Sequence, residues 1–93
     1  MPVLMMADEL GPYNITMNKV APGLILTDRI KHTLPPNQYP EEAMQQRAAN
    51  IPLRRIGNPQ ELASLVTFLA SEKASYISGT TIPVDGGASR SIY

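Results

Sequence analysis

Few side chains in this sequence have types and spacings that could do chemistry. Thr27 offers a hydroxyl shortly after the pair Pro22-Gly23. On residue chemistry alone that pair is a strand-ending turn and Thr27 a helix cap. The single histidine, His32, cannot assemble a metal site by itself and reads as a solvated loop residue. There is no cysteine, which excludes disulfides and thiolate metal sites within the chain. Arg54-Arg55 is the only adjacent basic pair, and it reads as a solvated loop end.

The elements that must position these residues belong to a small chain. Ninety-three residues allow at most one small domain, and an apolar fraction of 43% permits a core. Eight basic and eight acidic residues give no net charge, which argues against nucleic acid as a partner because phosphate binding needs a basic surplus or patch. No apolar run approaches the length of a membrane span. The apolar start, Met1 to Met6, has no basic flank and soon meets Asp8-Glu9, so it does not read as a signal peptide. Without such a signal the sequon Asn14-Ile15-Thr16 is treated as chance, and a soluble cytoplasmic location is expected.

Val3, Met6 and Leu10 share a helical face, and Gly11-Pro12 supplies a left-handed stop followed by a residue that cannot continue. Alternation from Ile15 to Ala21 predicts a strand ended by Pro22-Gly23. Residues 27–50 form a long polar connection. Pro35-Pro36 breaks its first half, and helix formers with acids at their start follow Pro40. The clearest element is a helix over residues 59–70, with Asn58 as N-cap, Pro59 at N1 and Glu61 completing a capping box. Its stripe of Leu62, Leu65, Val66 and Leu69, widened by Phe68, reads as core. Thr80 to Val84 is β-branched enough to be a strand, and Asp85-Gly86-Gly87 ends it. Strand, helical connection, strand is the βαβ pattern and implies a parallel pair, which normally sits inside a larger covered sheet.

Four segments in order carry a resemblance. They are Glu9-Leu10-Gly11-Pro12-Tyr13-Asn14-Ile15, then Asn18 to Thr27 with Pro22-Gly23, then Arg54-Arg55-Ile56-Gly57-Asn58-Pro59-Gln60-Glu61-Leu62-Ala63. The last runs from Phe68-Leu69-Ala70-Ser71 through Tyr76-Ile77-Ser78-Gly79 to Val84-Asp85-Gly86-Gly87. Together they resemble the C-terminal third of the short-chain dehydrogenases/reductases, especially the 3-oxoacyl-carrier-protein-reductase-like group. The resemblance implies an α/β fold: the C-terminal βαβ part of a Rossmann-type doubly wound parallel sheet, preceded by the end of a helix, as a single partial domain over 1–93. It implies NAD or NADP as cofactor and a hydroxyl or ketone, including 3-oxoacyl, substrate. Pro22 and Gly23 would let backbone approach the nicotinamide, Ile25 would bond the carboxamide through its backbone, and Thr27 would offer its hydroxyl. In the family context these roles displace the turn-and-cap reading. Segment 27–50 would correspond to the variable substrate lid, where His32, Tyr39 and Met44 could touch substrate.

The family's glycine-rich dinucleotide turn has no counterpart here, the first glycine being Gly11. Its Tyr-x-x-x-Lys pair is absent too, since neither Tyr13 nor Tyr76 has a lysine four residues on. The resemblance places that pair upstream, on the helix ending at Leu10. The expectation is a chain inactive alone, with no catalytic residue of its own. The alternative is a non-catalytic binding or assembly module. Either way, unpaired strand edges lead us to expect self-association or a homo-oligomer.

Overall fold

The computed structural model describes residues 2–28 and 40–89. Helix α1 spans Val3–Leu10 and runs directly into a 3-10 turn at Gly11–Tyr13. Gly11 remains right-handed, with φ −54° and ψ −43°, so the expected left-handed stop is not there. It comes instead at Asn14, with φ 61°, whose N–H donates to the Gly11 carbonyl at 2.9 Å. Asparagine tolerates this conformation, and Pro12, which has no N–H, fits the start of a helical turn.

Strand β1 is Lys19–Pro22 and β2 is Thr81–Val84. They pair in parallel, with Lys19 opposite Thr81 and Pro22 opposite Val84. Pro83 is tolerated because β2 is an edge strand in this pair. The strand expected from residue 15 thus begins four residues later. Residues 17 and 18 do reach across to 77–80, but through one backbone bond, from the Gly79 N–H to the Met17 carbonyl at 2.8 Å, and through side chains rather than a regular ladder. The Met17 N–H donates to Ser78 Oγ at 3.1 Å, and the Asn18 amide donates to the Ile77 carbonyl at 3.0 Å. Asn18 Oδ1 accepts from the Thr80 N–H at 3.2 Å and from its hydroxyl at 2.6 Å. Alternating side chains favour extended chain, but a strand also needs a partner in register.

Helix α2 spans Pro40–Ala48, with Glu41 and Glu42 in its first turn and Arg47 in its last, the arrangement the helix dipole favours. Helix α3 spans Pro59–Leu69, starting where the cap residues put it. The Asn58 N–H donates to Glu61 Oε1 at 3.0 Å, the capping-box bond that consumes an otherwise orphaned donor. A second 3-10 turn follows at Glu72–Ala74. Of the stripe expected to be core, Leu62, Leu65 and Leu69 are half-buried, while Val66 and Phe68 are exposed. The stripe is wider than the surface available to cover it.

Burial is concentrated in few places: Ile25, Ala43, Ala48, Ile51 and Ala74 are the buried apolar residues among those described. The accessible surface is 7186 Å² and the radius of gyration 16.4 Å. A compact monomer of this mass would have about 5300 Å² and about 12 Å. Among the described residues the fold is therefore open: a parallel pair with helical connections and few side chains closed off from solvent.

Candidate functional site

The parallel pair ends at Pro22 and Val84, and the chain beyond each strand is what shapes the site. The Gly23 N–H donates to the Val84 carbonyl at 2.9 Å, extending the ladder by one rung. A Cβ on Gly23 would lie 2.6 Å from Asp85 Cβ and 3.0 Å from Asp85 Cα, so only glycine allows the two segments this approach. Asp85 is itself held in a tight turn. Its carboxylate accepts from the Gly87 N–H and the Ser89 N–H, each at 3.0 Å, and from the Ser89 hydroxyl. These bonds, the Ser89 hydroxyl foremost, hold its carboxyl below the usual carboxylate range. Gly86 and Gly87 are left-handed, with φ 65° and 89°, as the turn requires.

Ile25 forms an isolated parallel bridge with Gly57. The Gly57 N–H donates to the Leu24 carbonyl at 3.0 Å, and the Leu26 N–H donates to the Gly57 carbonyl at 2.8 Å. In such a bridge the bonds are made by the neighbours of Ile25, and its own N–H and C=O are directed to the opposite edge. Among the described residues neither group forms a hydrogen bond, and Ile25 is only 7% exposed. Buried backbone groups are almost always paired, so a donor and an acceptor on one residue, both without partners among the described residues, make Ile25 the candidate point of the site.

The Gly57 loop is fixed in turn by Glu61. Arg55 Nη1 and Nη2 donate to its two carboxylate oxygens at 2.7 and 2.9 Å, a bidentate pair. The Arg55 guanidinium first, and the Asn58 N–H second, lower the Glu61 pKa to about 2. Arg54 is left-handed, with φ 58°, and its Nη1 donates to the Ile51 carbonyl at 2.9 Å. Arg54-Arg55 is the exposed loop end that was expected, and both side chains are in addition engaged in hydrogen bonds. The local sequence does not mark Arg55, because its partner lies six residues on, across a turn.

These segments border a cleft of 510 Å³ lined by Leu24, Ile25, Arg55, Gly57, Glu61 and the 83–87 strand end, with Pro52 and Leu53. Pro22, Gly23 and Thr27 are exposed beside it, on the same run of chain as Ile25. Met44 is half-buried in a neighbouring hollow of 270 Å³ with Leu26, Ala48 and Arg54. His32 and Tyr39 lie outside the described residues. Sequence reasoning missed Gly57, Glu61 and Asp85 as parts of the site's frame. Glycine just before an N-cap, where no helix needs it, was the available signal for Gly57.

An unpaired donor–acceptor couple at the carboxyl end of a parallel strand is the kind of place where open α/β sheets bind ligands. Known proteins agree with that architecture. A family model described as enoyl-(acyl carrier protein) reductase matches residues 3–89. The NADPH-dependent reductase BacG of Bacillus subtilis is 44% identical over 89 residues, 90% of this chain and 34% of that protein. The 3-oxoacyl-acyl-carrier-protein reductase MabA of Mycobacterium tuberculosis is 51% identical over 82 residues, 87% of this chain and 30% of that protein. The crystal structure of YwfH, an NADPH-dependent reductase involved in bacilysin biosynthesis, superposes with a TM-score of 0.85 at 41% identity, covering 97% of this chain and 36% of that one. The chain spans about a third of the length of the curated relatives it matches. It belongs to the short-chain dehydrogenase/reductase family, in its 3-oxoacyl-carrier-protein-reductase-like part, and its parallel pair is a portion of that family's Rossmann-type fold.

Proposed function

We propose that this chain forms the wall of an NAD(P) site that holds the nicotinamide carboxamide, in a reductase acting on a hydroxyl or ketone substrate, 3-oxoacyl groups among them. The observation that carries the reading is Ile25: a buried residue whose N–H and C=O are both without partners among the described residues. A carboxamide presents one acceptor and one NH₂ donor, the complement of that couple. Gly23, without a Cβ, lets the backbone approach a flat ring, Pro22 fixes the turn before it, and Thr27 adds a hydroxyl at the exposed end of the segment. When bound, the cofactor supplies the hydride. This chain's residues orient it and exclude water from one face. Segment 27–50 serves as the substrate lid, with Met44 in the hollow beside Leu26.

The 93-residue chain by itself reduces nothing, because it holds neither a glycine-rich dinucleotide turn nor a Tyr-x-x-x-Lys pair. The exposed apolar residues Leu4, Met5 and Tyr76 support a second reading, in which the isolated chain self-associates.

The test of the first reading uses a chimaera joining this chain to the amino-terminal remainder of the Bacillus subtilis reductase. Thr27→Val in that protein should weaken NADPH binding about tenfold while the fold is kept, the effect of one lost hydrogen bond. Unchanged affinity would return Thr27 to the role of a helix cap.

A further inference from the structure

The Ile25 couple can serve a ligand only if its attitude is fixed, and among the described residues Ile25 itself has no hydrogen bond with which to fix it. Its backbone is held by the bridge to Gly57 alone on that side: Leu24 C=O to Gly57 N–H at 3.0 Å, and Leu26 N–H to Gly57 C=O at 2.8 Å. Gly57 in turn belongs to a loop between Arg55 and Asn58, and one carboxylate grips both ends of it. Glu61 Oε1 accepts from Arg55 Nη1 at 2.7 Å and from the Asn58 N–H at 3.0 Å, while Oε2 accepts from Arg55 Nη2 at 2.9 Å. The fit is close. A Cβ on Gly57 would lie 2.9 Å from Ile25 Cδ1, and Glu61 Oε1 stands 4.0 Å from the same point.

Resting on the cofactor reading above, we propose that Glu61 and Arg55 are positioning residues for the carboxamide, acting through Gly57 on the backbone of Ile25. The Arg55 and Glu61 side chains are 52% and 42% exposed. Exposed ion pairs contribute little to global stability. A purely structural role would therefore leave almost no trace when the pair is broken, whereas a positioning role shows in ligand binding. The Glu61 carboxylate acts through the loop it holds. Its effect is to stop the 55–58 loop from swinging and carrying Leu24 and Leu26 with it.

The experiment uses the chimaera and NADPH, followed by the fluorescence of the reduced nicotinamide. Glu61→Ala should weaken binding about tenfold with the thermal midpoint nearly unchanged. Glu61→Gln, whose amide oxygen still accepts from the Asn58 N–H, should recover part of the loss. Combined with Thr27→Val, the loss should be less than additive, because both variants disturb one segment. If Glu61→Ala does not fold, Arg55→Lys takes its place, since it keeps the charge and loses the bidentate fork. Weakening by Thr27→Val with wild-type affinity in the Glu61 or Arg55 variant overturns the positioning role alone. Wild-type affinity in all of them overturns the cofactor reading and this inference with it.

Discussion

The two ends of the parallel pair are built differently. At the carboxyl end, Gly23 lies against Asp85, Ile25 bridges to Gly57, and Ile51 is 5% exposed beneath Gly86. At the amino end, Leu4 is 68% exposed and Tyr76 fully exposed, with Met5, Tyr13 and Ile15 also open. A hollow of 680 Å³ between α1 and residues 75–79 has Leu4, Met5, Ile15 and Tyr76 on its walls. The end that would face a ligand is closed by this chain's own segments. The other end presents apolar surface that a stable monomer would cover. The backbone proposed to bear function is thus held by contacts within the chain, while the other end is left uncovered by the described residues.

Perturbing the closed end should give the largest effects. Ile51→Ala is expected to cost about 3 kcal/mol, since the side chain is buried and the space it leaves is bounded by the backbone of the 85–87 turn. Chemical denaturation of the chimaera would measure it. A loss below 1 kcal/mol would show that this end is as loose as the other. Gly23→Ala should cost about 2 kcal/mol, because the new methyl meets Asp85 and one strand end must move. If it is tolerated without loss, the closeness of the two segments is not a constraint.

Acid provides a gentler probe of the same end. The folded-state pKa of Glu61 is lowered to about 2 and that of Asp85 is also lowered. Depressed carboxylates contribute stability above their unfolded pKa and lose it as pH falls through the folded value. For Glu61 the loss falls between the ordinary value of 4.5 and about 2. Because the Glu61–Arg55 pair is exposed, the thermal midpoint should decline only slightly across that window on its account, and Glu61→Gln should remove that small decline. An identical pH profile in the variant would mean that other groups govern acid unfolding.

The smallest effect on stability is expected at the open end. Leu4→Ser combined with Tyr76→Ser should change unfolding free energy by no more than about 0.5 kcal/mol, as for surface sites in general. The same pair should shift the isolated chain toward monomer in sedimentation. Unaltered association would place the adhesive surface elsewhere and erase the contrast between the two ends.

What was legible in the sequence follows the range of the forces involved. Helix α3 starts where Asn58, Pro59 and Glu61 put it because capping is settled within four residues. The parallel pairing was legible from element order, but the start of β1 was not, since Ile15 and Met17 alternate without a regular ladder, Met17 taking a single backbone bond from Gly79. The helix stop moved from Gly11 to Asn14 because glycine permits a left-handed turn without enforcing it. Val66 and Phe68 looked like core because a helical stripe shows which face is apolar and not whether anything covers it. The part played by Ile25 was invisible in its side chain. It rests on two backbone groups, and only the family resemblance singled the residue out.

Asn18 has a consequence for the order in which this chain assembles. Its amide spans to Ile77 and Thr80, and the first ladder pair, Lys19 with Thr81, closes a loop of the same length. Contacts between residues so distant in sequence cannot form until the intervening chain has been brought round, and the entropy of that closure slows the search. The helices, whose bonds are local, precede it. The asparagine clip is therefore expected to form late on the folding route, as a latch on the finished pair, which slower unfolding than in an Asn18→Ala variant, at equal folding rate, would bear out. Interactions made after the barrier govern how slowly a structure opens, not how fast it forms. The lifetime of the β1–β2 pair, and with it of the proposed ligand wall at its far end, is thus set in part by a side chain at the opposite end of the sheet.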